Sequence, residues 1–503
     1  MFVQTGHFLE KGKKKKEEKN VTFYGSELKA NNTRLAKMNL AIHGMEGSIK
    51  ESNSFYTDPH DLVGKCDFVM ANPPFNVKKV DKKKDYVKND VRLFEDVGIP
   101  KADNGNYLWI QYFYHYLNDK GRAGFVMASS ATDAGNTEKA IRQKLIETDA
   151  VDCVVSVGNN FFYTRSLPCH VWFLDKGKSE ANKDKILMID ARNTFRVVTS
   201  TINDYSPGQL RNFSAIMAAY RGETSAIATA NTEHQKDTIA LARVIAKEIN
   251  TLRQDCQKIL AAPFTPYNHK LCDTCKAKAE KQKASTKKAA ALTLCAKCQA
   301  AFDKVTKPNL DFTAIQSDLS ETLSIDNQSD FETSKQWIDT FTQPVEALFN
   351  LVDTYQSESE AALTTFKQLE DKEKKSKANK AKKEQLDANS RLLKTLSVAV
   401  KKHHDLLSED LNDYKQQVKD WESMLDNFPG DQYQDIEGLC KVVDREEVKE
   451  NDYSLNPGRY VGYSIRVDQG FDYKKRMKAI NKDLADLNEQ AVALLKSIIK
   501  VEV

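Results

Sequence analysis

The sequence predicts an α/β protein in which a doubly wound, mostly parallel sheet is followed by a large helical region. Over residues 1–222, strand-like apolar runs alternate with helical segments, which is the pattern of βαβ units. Fifteen of the 20 glycines precede Glu223, and none lies between Glu223 and Pro429. The middle of the chain is therefore expected to be mostly helix, and an antiparallel edge pair is expected beside the parallel strands.

The elements of the first part follow from its apolar pattern. We expect a helix over Met1–Leu9 and another around Leu35–Ile42, with a solvated Lys/Glu-rich connection at 11–19. The expected strands are Val21–Tyr24, Ile49–Phe55, Cys66–Ala71, Ala123–Met127, Val151–Val157 and His170–Leu174.

The stretch Asn72-Pro73-Pro74-Phe75 directly follows the apolar run that ends at Ala71. It is expected at the carboxyl edge of a buried strand, where open α/β sheets bind ligands. Two prolines fix the backbone and remove two N–H donors, which leaves a rigid ledge of acceptors. The Asn72 amide oxygen and the Pro73 carbonyl can accept hydrogen bonds from an exocyclic amino group, and Phe75 offers a face to a planar base. The alternative interpretation is an ordinary turn that ends a strand.

Two further polar residues are expected at the same edge. Glu27 follows the strand that ends at Tyr24, where nucleotide-binding folds hydrogen-bond ribose hydroxyls. Asn53 follows the next strand and could contact an adenine ring, although an asparagine in a loop is also a common turn former.

Several motifs together resemble the modification subunit of type I restriction-modification systems, a family of adenine-N6 DNA methyltransferases. The resemblance covers residues 1–222 and resumes near the C-terminus. It is carried by Tyr24-Gly25-Ser26-Glu27, Arg34–Leu40, Asn53-Ser54-Phe55, Asp67, Asn72-Pro73-Pro74-Phe75, Asn106-Tyr107-Leu108-Trp109, Gly121–Gly124, Phe162-Tyr163-Thr164, Trp172-Phe173-Leu174, Ile189–Arg192 and Ser454–Val461.

The resemblance implies a Rossmann-like methyltransferase sheet, S-adenosylmethionine as the methyl donor, and double-stranded DNA with a flipped adenine as the acceptor. It gives Asn72 and Pro73 the contacts to the adenine amino group, with Pro74 in the same motif and Phe75 as the stacking face. It places Glu27 at the cofactor ribose and Asn53 beside the cofactor adenine. A specificity subunit is the implied partner, and assembly with a second modification subunit and a restriction subunit is left open.

One departure from this family concerns the cofactor loop. The family carries a glycine-rich loop of the form Asp-Pro-x-x-Gly-Ser-Gly-Gly just before the residues that match Met1-Phe2-Val3. We therefore expect the methyltransferase sheet to be incomplete at its N-terminus, either in a truncated or split product or with the missing strand arriving on another chain.

Four of the nine cysteines form a regular array, Cys272-x2-Cys275 and Cys295-x2-Cys298. Paired Cys-x2-Cys turns can complete a tetrahedral site without other ligands, so a structural zinc ion is expected here. Four free cysteines on helices are the alternative.

The rest of the chain suggests three further divisions after the catalytic domain at 1–222. These are a helical, zinc-bearing region at 223–343, a long antiparallel helical hairpin at 344–430 with its reversal at 372–383, and a C-terminal segment at 431–503. The final helix, Tyr473–Ile499, has an apolar face that needs a partner, which in the resembled family is the specificity subunit.

Composition restricts the function only weakly. The net charge is +4, so any nucleic-acid surface must be local. No apolar run is long enough to span a bilayer and no signal-peptide pattern begins the chain, so a cytoplasmic protein with no membrane partner is expected. The leading interpretation is a DNA adenine-N6 methyltransferase subunit. The alternatives are methylation of RNA or protein, and an inactive scaffold or DNA-binding fragment that assembles with a specificity subunit.

Overall fold

The computed structural model describes residues 1–11, 21–97, 99–100, 104–261 and 377–463, together with scattered positions between 474 and 492. The four expected zinc ligands, Cys272, Cys275, Cys295 and Cys298, lie outside the described residues. So does the first helix of the expected hairpin.

The described chain alternates helices and strands up to residue 220 and is then dominated by two long helices. In order, the elements are α1 (Phe2–Lys11), β1 (Phe23–Glu27), α2 (Ala30–Ile42), β2 (Gly47–Glu51), β3 (Cys66–Ala71), α3 (Asp85–Lys88), α4 (Asn106–Tyr116), β4 (Leu117–Ala128), α5 (Asn136–Glu147), β5 (Val151–Val157), β6 (Cys169–Asp175), β7 (Lys185–Asp190), β8 (Arg196–Thr199), β9 (Ile202–Asp204), α6 (Pro207–Tyr220), α7 (Ala226–Ala261), α8 (Lys377–Asn427), β10 (Cys440–Asp444) and α9 (Arg445–Glu450).

The main sheet is mixed and has six strands in the order β10-β7-β5-β6-β4-β3. Strands β3, β4, β5 and β7 run parallel, whereas β6 lies between β4 and β5 and is antiparallel to both. The expected α/β sheet is confirmed, and an antiparallel pair, β10 with β7, lies at one of its edges. A second strand, β6, is also antiparallel although it is internal. The reason is the connection from β5 to β6, which contains no crossover helix and therefore reverses the chain beside its own strand.

Strands β1 and β2 form a separate two-stranded parallel sheet. In the described chain, β3 pairs only with β4 and β1 pairs only with β2, so each has an unpaired edge. Helix α1 contacts both, because Phe2 packs on Phe23 of β1 at 5.0 Å between ring centroids and the Thr5 hydroxyl lies 3.9 Å from the Met70 sulfur of β3. The two open edges thus lie on either side of a region that α1 covers.

The sheet core is apolar and continuous across both faces. Strand β5 is buried at every position, and Trp172 of β6 and Phe125 of β4 are among the largest fully buried side chains. A second cluster joins β5 and β7 to Phe213 of α6, Ile227 of α7 and Met424 of α8. Residues on both sides of the expected boundaries at 222–223 and 430–431 therefore share one core with the sheet.

The long helices α7 and α8 run antiparallel. The Gln417 amide contacts His234 near one end, and His403 contacts Glu248 and Asp255 farther along α7. Helix α8 begins at Lys377, so the second half of the segment in which we expected the hairpin reversal is helical. In the described chain α8 packs on α7 and α6, which both precede the expected hairpin.

The chain after α8 returns to the first part of the protein. Strand β10 extends the sheet antiparallel to β7, and Leu455 donates its N–H to the Thr132 carbonyl at 3.0 Å. Described positions between 474 and 492 are helical, and Met477, Leu484 and Leu487 are exposed there. No described helix is long and apolar enough to cross a membrane.

Candidate functional site

The expected ledge lies at the carboxyl end of β3, as the sequence predicts. Asn72 and Pro74 are exposed, Pro73 is buried and Phe75 is half-buried. The Asn72 side chain forms no hydrogen bond with any residue that the structure describes. Its amide oxygen is therefore free to accept a hydrogen bond from a ligand.

The ledge is fixed from behind by a pair of asparagines. Asn76 has a left-handed backbone, with φ of 53°, and donates its N–H to the Asn106 side-chain oxygen at 2.8 Å. The Asn106 amide donates back to the Asn76 side-chain oxygen at 2.9 Å. Asn106 is fully buried at the first position of α4. These two bonds tie the residue after Phe75 to a rigid helix.

A second aromatic ring stands beside Phe75. The ring of Phe162 lies 6.4 Å from that of Phe75, centroid to centroid, with an interplanar angle of 78°. Both are half-buried, and the next residue, Tyr163, is 88% exposed. Phe162 belongs to the loop between β5 and β6, so that loop forms one wall at the ledge. No role for Phe162 itself could be predicted from the sequence, because nothing local links it to Phe75.

Glu27 and Asn53 lie together at the carboxyl ends of β1 and β2. Glu27 is the last residue of β1 and pairs in register with Glu51, two residues before Asn53. The Glu27 carboxylate accepts from the Lys29 N–H at 3.3 Å and the Asn32 amide at 3.2 Å through one oxygen, Oε1.

Asn53 also has a local structural role. Its side-chain oxygen accepts from the Phe55 N–H at 3.0 Å, and its carbonyl accepts from Tyr56 and Thr57. The expected strand Ile49–Phe55 therefore ends at Glu51, because Asn53 turns the chain. Asn53 thus forms a turn through its two oxygens, and its amide nitrogen is the group left for a ligand donor contact.

The loops after β2 and β3 meet at Gly105. A Cβ at this position would lie 3.2 Å from the Phe55 ring and 3.3 Å from the Val77 Cβ, so a larger residue would push these two loops apart by a few tenths of an ångström. The residues expected on the cofactor side and those expected on the acceptor side thus border the same start of α4.

His170 is a buried histidine of the main sheet. His170 lies on β6, which β4 separates from β3. Burial lowers the pKa of His170 to about 4, so the ring is neutral at neutral pH. Within the described ranges, no group of three His, Cys, Asp or Glu residues could hold a metal ion. The ledge therefore offers hydrogen-bond acceptors and aromatic surface.

Comparison with known proteins decides the family. The model of the family described as N-6 DNA Methylase matches residues 1–254 and 363–468, which is well over half of the chain. The chain belongs to this family. The Asn-Pro-Pro-Phe ledge lies within the first matched range.

Individual relatives agree with this assignment. The chain is 38% identical over 187 residues to the type I restriction enzyme MjaIX methylase subunit of Methanocaldococcus jannaschii, covering 36% of this chain and 33% of that protein. It is 29% identical over 222 residues to the HindI methylase subunit of Haemophilus influenzae, covering 44% of this chain and 48% of that protein. The chain thus spans a third to a half of the length of these curated relatives.

Among solved structures, the type I methyltransferase subunit from Streptococcus thermophilus is similar, with a TM-score of 0.38 and 22% identity over 42% of this chain and 45% of that one. The EcoKI M protein matches with a TM-score of 0.31 and 22% identity over 39% of this chain and 40% of that one.

Proposed function

We propose that this chain is the modification subunit of a type I restriction-modification system, which transfers a methyl group from S-adenosylmethionine to the N6 amino group of adenine in DNA. The observation that carries the proposal is the ledge itself. In a chain of the N-6 DNA Methylase family, an exposed Asn72 and an aromatic Phe75 follow a strand at the ligand-binding edge of the sheet.

The ledge acts on the acceptor. The Asn72 amide oxygen and the Pro73 carbonyl accept the two N–H hydrogens of the adenine amino group. These bonds draw the nitrogen lone pair out of conjugation and leave it nucleophilic. Phe75 stacks on the flipped base, and the edge of Phe162 limits where the base can lie. Neither acceptor is basic enough to keep a proton, so the proton lost from the methylated nitrogen passes to water.

The first test replaces the acceptor-side residues in the enzyme assembled with its partner subunits. We expect Asn72→Ala and Phe75→Ala to abolish N6-methyladenine formation, or reduce it severely, with cofactor affinity nearly unchanged. Asn118→Ala is the matched control, since Asn118 lies at the amino ends of the strands, away from the ledge, and its amide donates to Asp67 at 2.9 Å. Methylation at the wild-type rate by Asn72→Ala would exclude the proposed chemistry. Transfer of a labelled methyl group to RNA or to protein, in place of DNA, would favour RNA or protein as the substrate.

The donor side fits S-adenosylmethionine only in part. This cofactor supplies an electrophilic methyl group on a sulfonium. In the described chain, Glu27 offers its second carboxylate oxygen to a ribose hydroxyl, and Asn53 offers its amide nitrogen to the adenine ring. These few hydrogen bonds, each worth about 1 kcal/mol net, are too weak to immobilise a cofactor.

The open edges of β1 and β3 indicate how the donor side is completed. A strand between them would join the two sheets and bring its own loop to the carboxyl edge, beside Glu27 and the ledge. We propose that another polypeptide, or a segment of the protein that is not part of residues 1–503, supplies that strand. Residues 1–503 alone should then neither bind S-adenosylmethionine with micromolar affinity nor methylate DNA.

Calorimetry on the isolated chain tests this point. Tight stoichiometric binding of S-adenosylmethionine would contradict the proposed pocket. The same open edges also favour a second candidate, an inactive fragment that binds DNA or a specificity subunit as a scaffold. Restored cofactor binding and methylation after adding the missing strand would exclude that candidate.

The cysteine array leads to a separate proposal. We propose that Cys272, Cys275, Cys295 and Cys298 bind one structural zinc ion, on the strength of their spacing in the sequence. Metal analysis of freshly purified, unchelated protein should give about one zinc per chain, and Cys272→Ser or Cys295→Ser should remove it. Zinc-free wild-type protein would refute the proposal.

The remaining partners follow from the proposed system. A specificity subunit should bind the exposed apolar positions Met477, Leu484 and Leu487. Co-purification with that subunit should be lost in Leu484→Asp/Leu487→Asp, and co-purification that persists would place the interface elsewhere. A second modification subunit and a restriction subunit are further candidates for the same assembly.

A further inference from the structure

A lysine-rich loop follows the ledge directly. Between residues 76 and 90 the chain has six lysines and three aspartates, although the whole protein is nearly balanced in charge. We call residues 76–90 the lysine loop. We propose that four lysines of this loop bind the phosphates that flank the flipped adenine in double-stranded DNA, an inference that rests on the proposed function. They are Lys78, Lys79, Lys83 and Lys88.

The lysine loop is held in a fixed conformation by apolar and polar contacts. Val80 is buried against Phe55, Leu108 and Tyr112. The Tyr56 hydroxyl lies 3.0 Å from the Asp81 N–H, which donates to it. Asp58 likewise donates its N–H to the Tyr86 hydroxyl at 2.8 Å. A loop fixed at this many points loses little conformational entropy when it binds.

The base of the lysine loop is fixed by a buried ion pair. Arg92 donates to both oxygens of Asp90, and their side chains are 0% and 2% exposed. The Arg92 guanidinium also stacks over the Tyr112 ring at 3.9 Å. Asp90 is therefore neutralised internally, which leaves the lysine charges of the loop less opposed.

Two of the six lysines have structural partners. Lys82 donates to the carbonyls of Pro100 and Asn104, and the Lys84 ammonium lies 4.4 Å from the centre of the Tyr56 ring. The other four are exposed, and no described carboxylate forms an ion pair with them. Four exposed lysines in the loop that follows the ledge are thus available to bind anions.

Lys79 has an unusual backbone. Its φ is 62°, a left-handed conformation that glycine and asparagine adopt more readily than lysine. A lysine in this strained conformation is a candidate for a functional role, and the property that it brings there is its charge. Replacement by asparagine therefore separates the two properties, since Lys79→Asn removes the charge and relieves the backbone strain.

The position of the lysine loop fits the geometry of base flipping. A flipped nucleotide turns about its backbone, so its phosphates stay at the mouth of the pocket. Lys78 and Lys79 follow Phe75 by three and four residues, which puts their Cα atoms within roughly 15 Å of the Phe75 Cα. A lysine contacts phosphate as a point charge and does not distinguish one base from another. This suits a subunit that contacts DNA while the proposed specificity subunit recognises the base sequence.

The test measures the salt dependence of DNA binding by the full chain. Anisotropy of a labelled 24-base-pair duplex, followed over a range of KCl concentrations, gives the slope of log Kobs against log[KCl]. Each phosphate contact contributes about 0.9 to this slope. We expect Lys79→Asn to lower the slope by about 0.9, and Lys78→Gln/Lys79→Asn/Lys83→Gln to lower it by about 2.7. At 0.1 M salt, the single change should weaken binding about eightfold.

A charge-matched triple variant is the control. Lys65, Lys120 and Lys183 are exposed at the amino ends of β3, β4 and β7, about 20 Å from the ledge along strands of this length. Lys65→Gln/Lys120→Gln/Lys183→Gln should leave the slope unchanged. An equal loss in both triple variants, an unchanged slope in the loop variants, or a wild-type chain that does not bind duplex at low salt would overturn the inference.

The inference and the proposed function fail differently. Asn72→Ala should retain the wild-type slope while abolishing methylation in the assembled enzyme. If the loop variants have a smaller slope of log Kobs against log[KCl] but the assembled wild-type protein methylates no adenine, the inferred DNA contacts are supported and the proposed activity is wrong. If methylation is normal and the slope does not respond to the loop lysines, the activity stands and this inference is wrong.

Discussion

Replacing Asn106 by alanine should release the ledge without moving the sheet. Asn106 is fully buried and exchanges two side-chain hydrogen bonds with Asn76, at 2.8 and 2.9 Å. Each bond contributes about 1 kcal/mol net, and the Asn76 N–H left without an acceptor adds a desolvation cost of about 1 kcal/mol or more. The local free energy of opening should therefore fall by about 2–3 kcal/mol.

Hydrogen exchange measures this loss directly. A change of 2–3 kcal/mol corresponds to exchange of the Asn76 amide roughly 30- to 150-fold faster in Asn106→Ala, if opening is local. Mass spectrometry of a peptide spanning residues 70–84 resolves such a change. In the assembled enzyme, the loosened ledge should lower kcat for methylation, while cofactor affinity stays the same, because Asn106 acts on the acceptor side.

Asn104→Ala is the matched control. The Asn104 side chain accepts only from the Asn106 N–H, at 2.9 Å, and does not touch Asn76. It should destabilise the start of α4 by about 1 kcal/mol and leave the Asn76 amide protected. Wild-type exchange at Asn76 in Asn106→Ala, or equal exchange in both variants, would show that the asparagine pair does not hold the ledge.

Three further predictions concern buried polar groups. Asp90→Asn or Arg92→Met alone should lower the free energy of unfolding in urea by about 3–5 kcal/mol, because each leaves one buried partner uncompensated. The double variant should lose clearly less than the sum of the two single losses. Strictly additive losses would show that the pair is not coupled. Burial, reinforced by the nearby Arg211 charge, lowers the pKa of His234 to about 4, below its value in the unfolded chain. The unfolded chain therefore binds a proton at this histidine more readily than the folded protein does. The free energy of unfolding should then fall by about 3 kcal/mol from this group as the pH drops from 6.5 toward 4. His234→Gln should flatten that pH dependence while the exposed-site variant His43→Asn does not, and equal slopes in the two would exclude His234 as the source. His403 contacts Glu248 at 2.6 Å and Asp255 at 3.3 Å, which joins α8 to α7. His403→Leu should therefore lower the melting temperature more than His404→Leu does. An equal decrease in the two variants would contradict this role of His403.

The sequence was informative where structure is local. The apolar runs at Cys66–Ala71, Val151–Val157 and His170–Leu174 are strands in the structure, and the ledge lies at the predicted end of β3. Strands β5 and β6 are buried on both faces, so a continuous apolar run predicts them without knowledge of distant contacts. The expected burial of Cys66–Ala71 is wrong, because β3 is an edge strand on which Phe68 and Met70 are exposed. The prolines of the ledge likewise act on their own backbone.

The sequence was uninformative where structure depends on partners far along the chain. The Asn76–Asn106 pair spans 30 residues, and nothing in either neighbourhood indicates it. Strand β10 is short and becomes a sheet strand only because β7 offers an edge. The same holds for the helical start of α8 within 372–383, where the lack of an apolar stripe indicated a turn.

The two halves of the proposed site differ in how complete they are, and this difference suggests how the proposed methyl transfer is controlled. The acceptor half is rigid within the described chain, since prolines, the Asn76–Asn106 pair and the Phe162 wall all fix the ledge. The donor half ends at two unpaired strand edges, with Met70 of β3 56% exposed and Tyr24 of β1 45% exposed. A strand that covers these residues gains apolar burial and main-chain hydrogen bonds whether or not the cofactor is present. Completion of the sheet should therefore precede cofactor binding, so that methyl transfer is possible only after assembly.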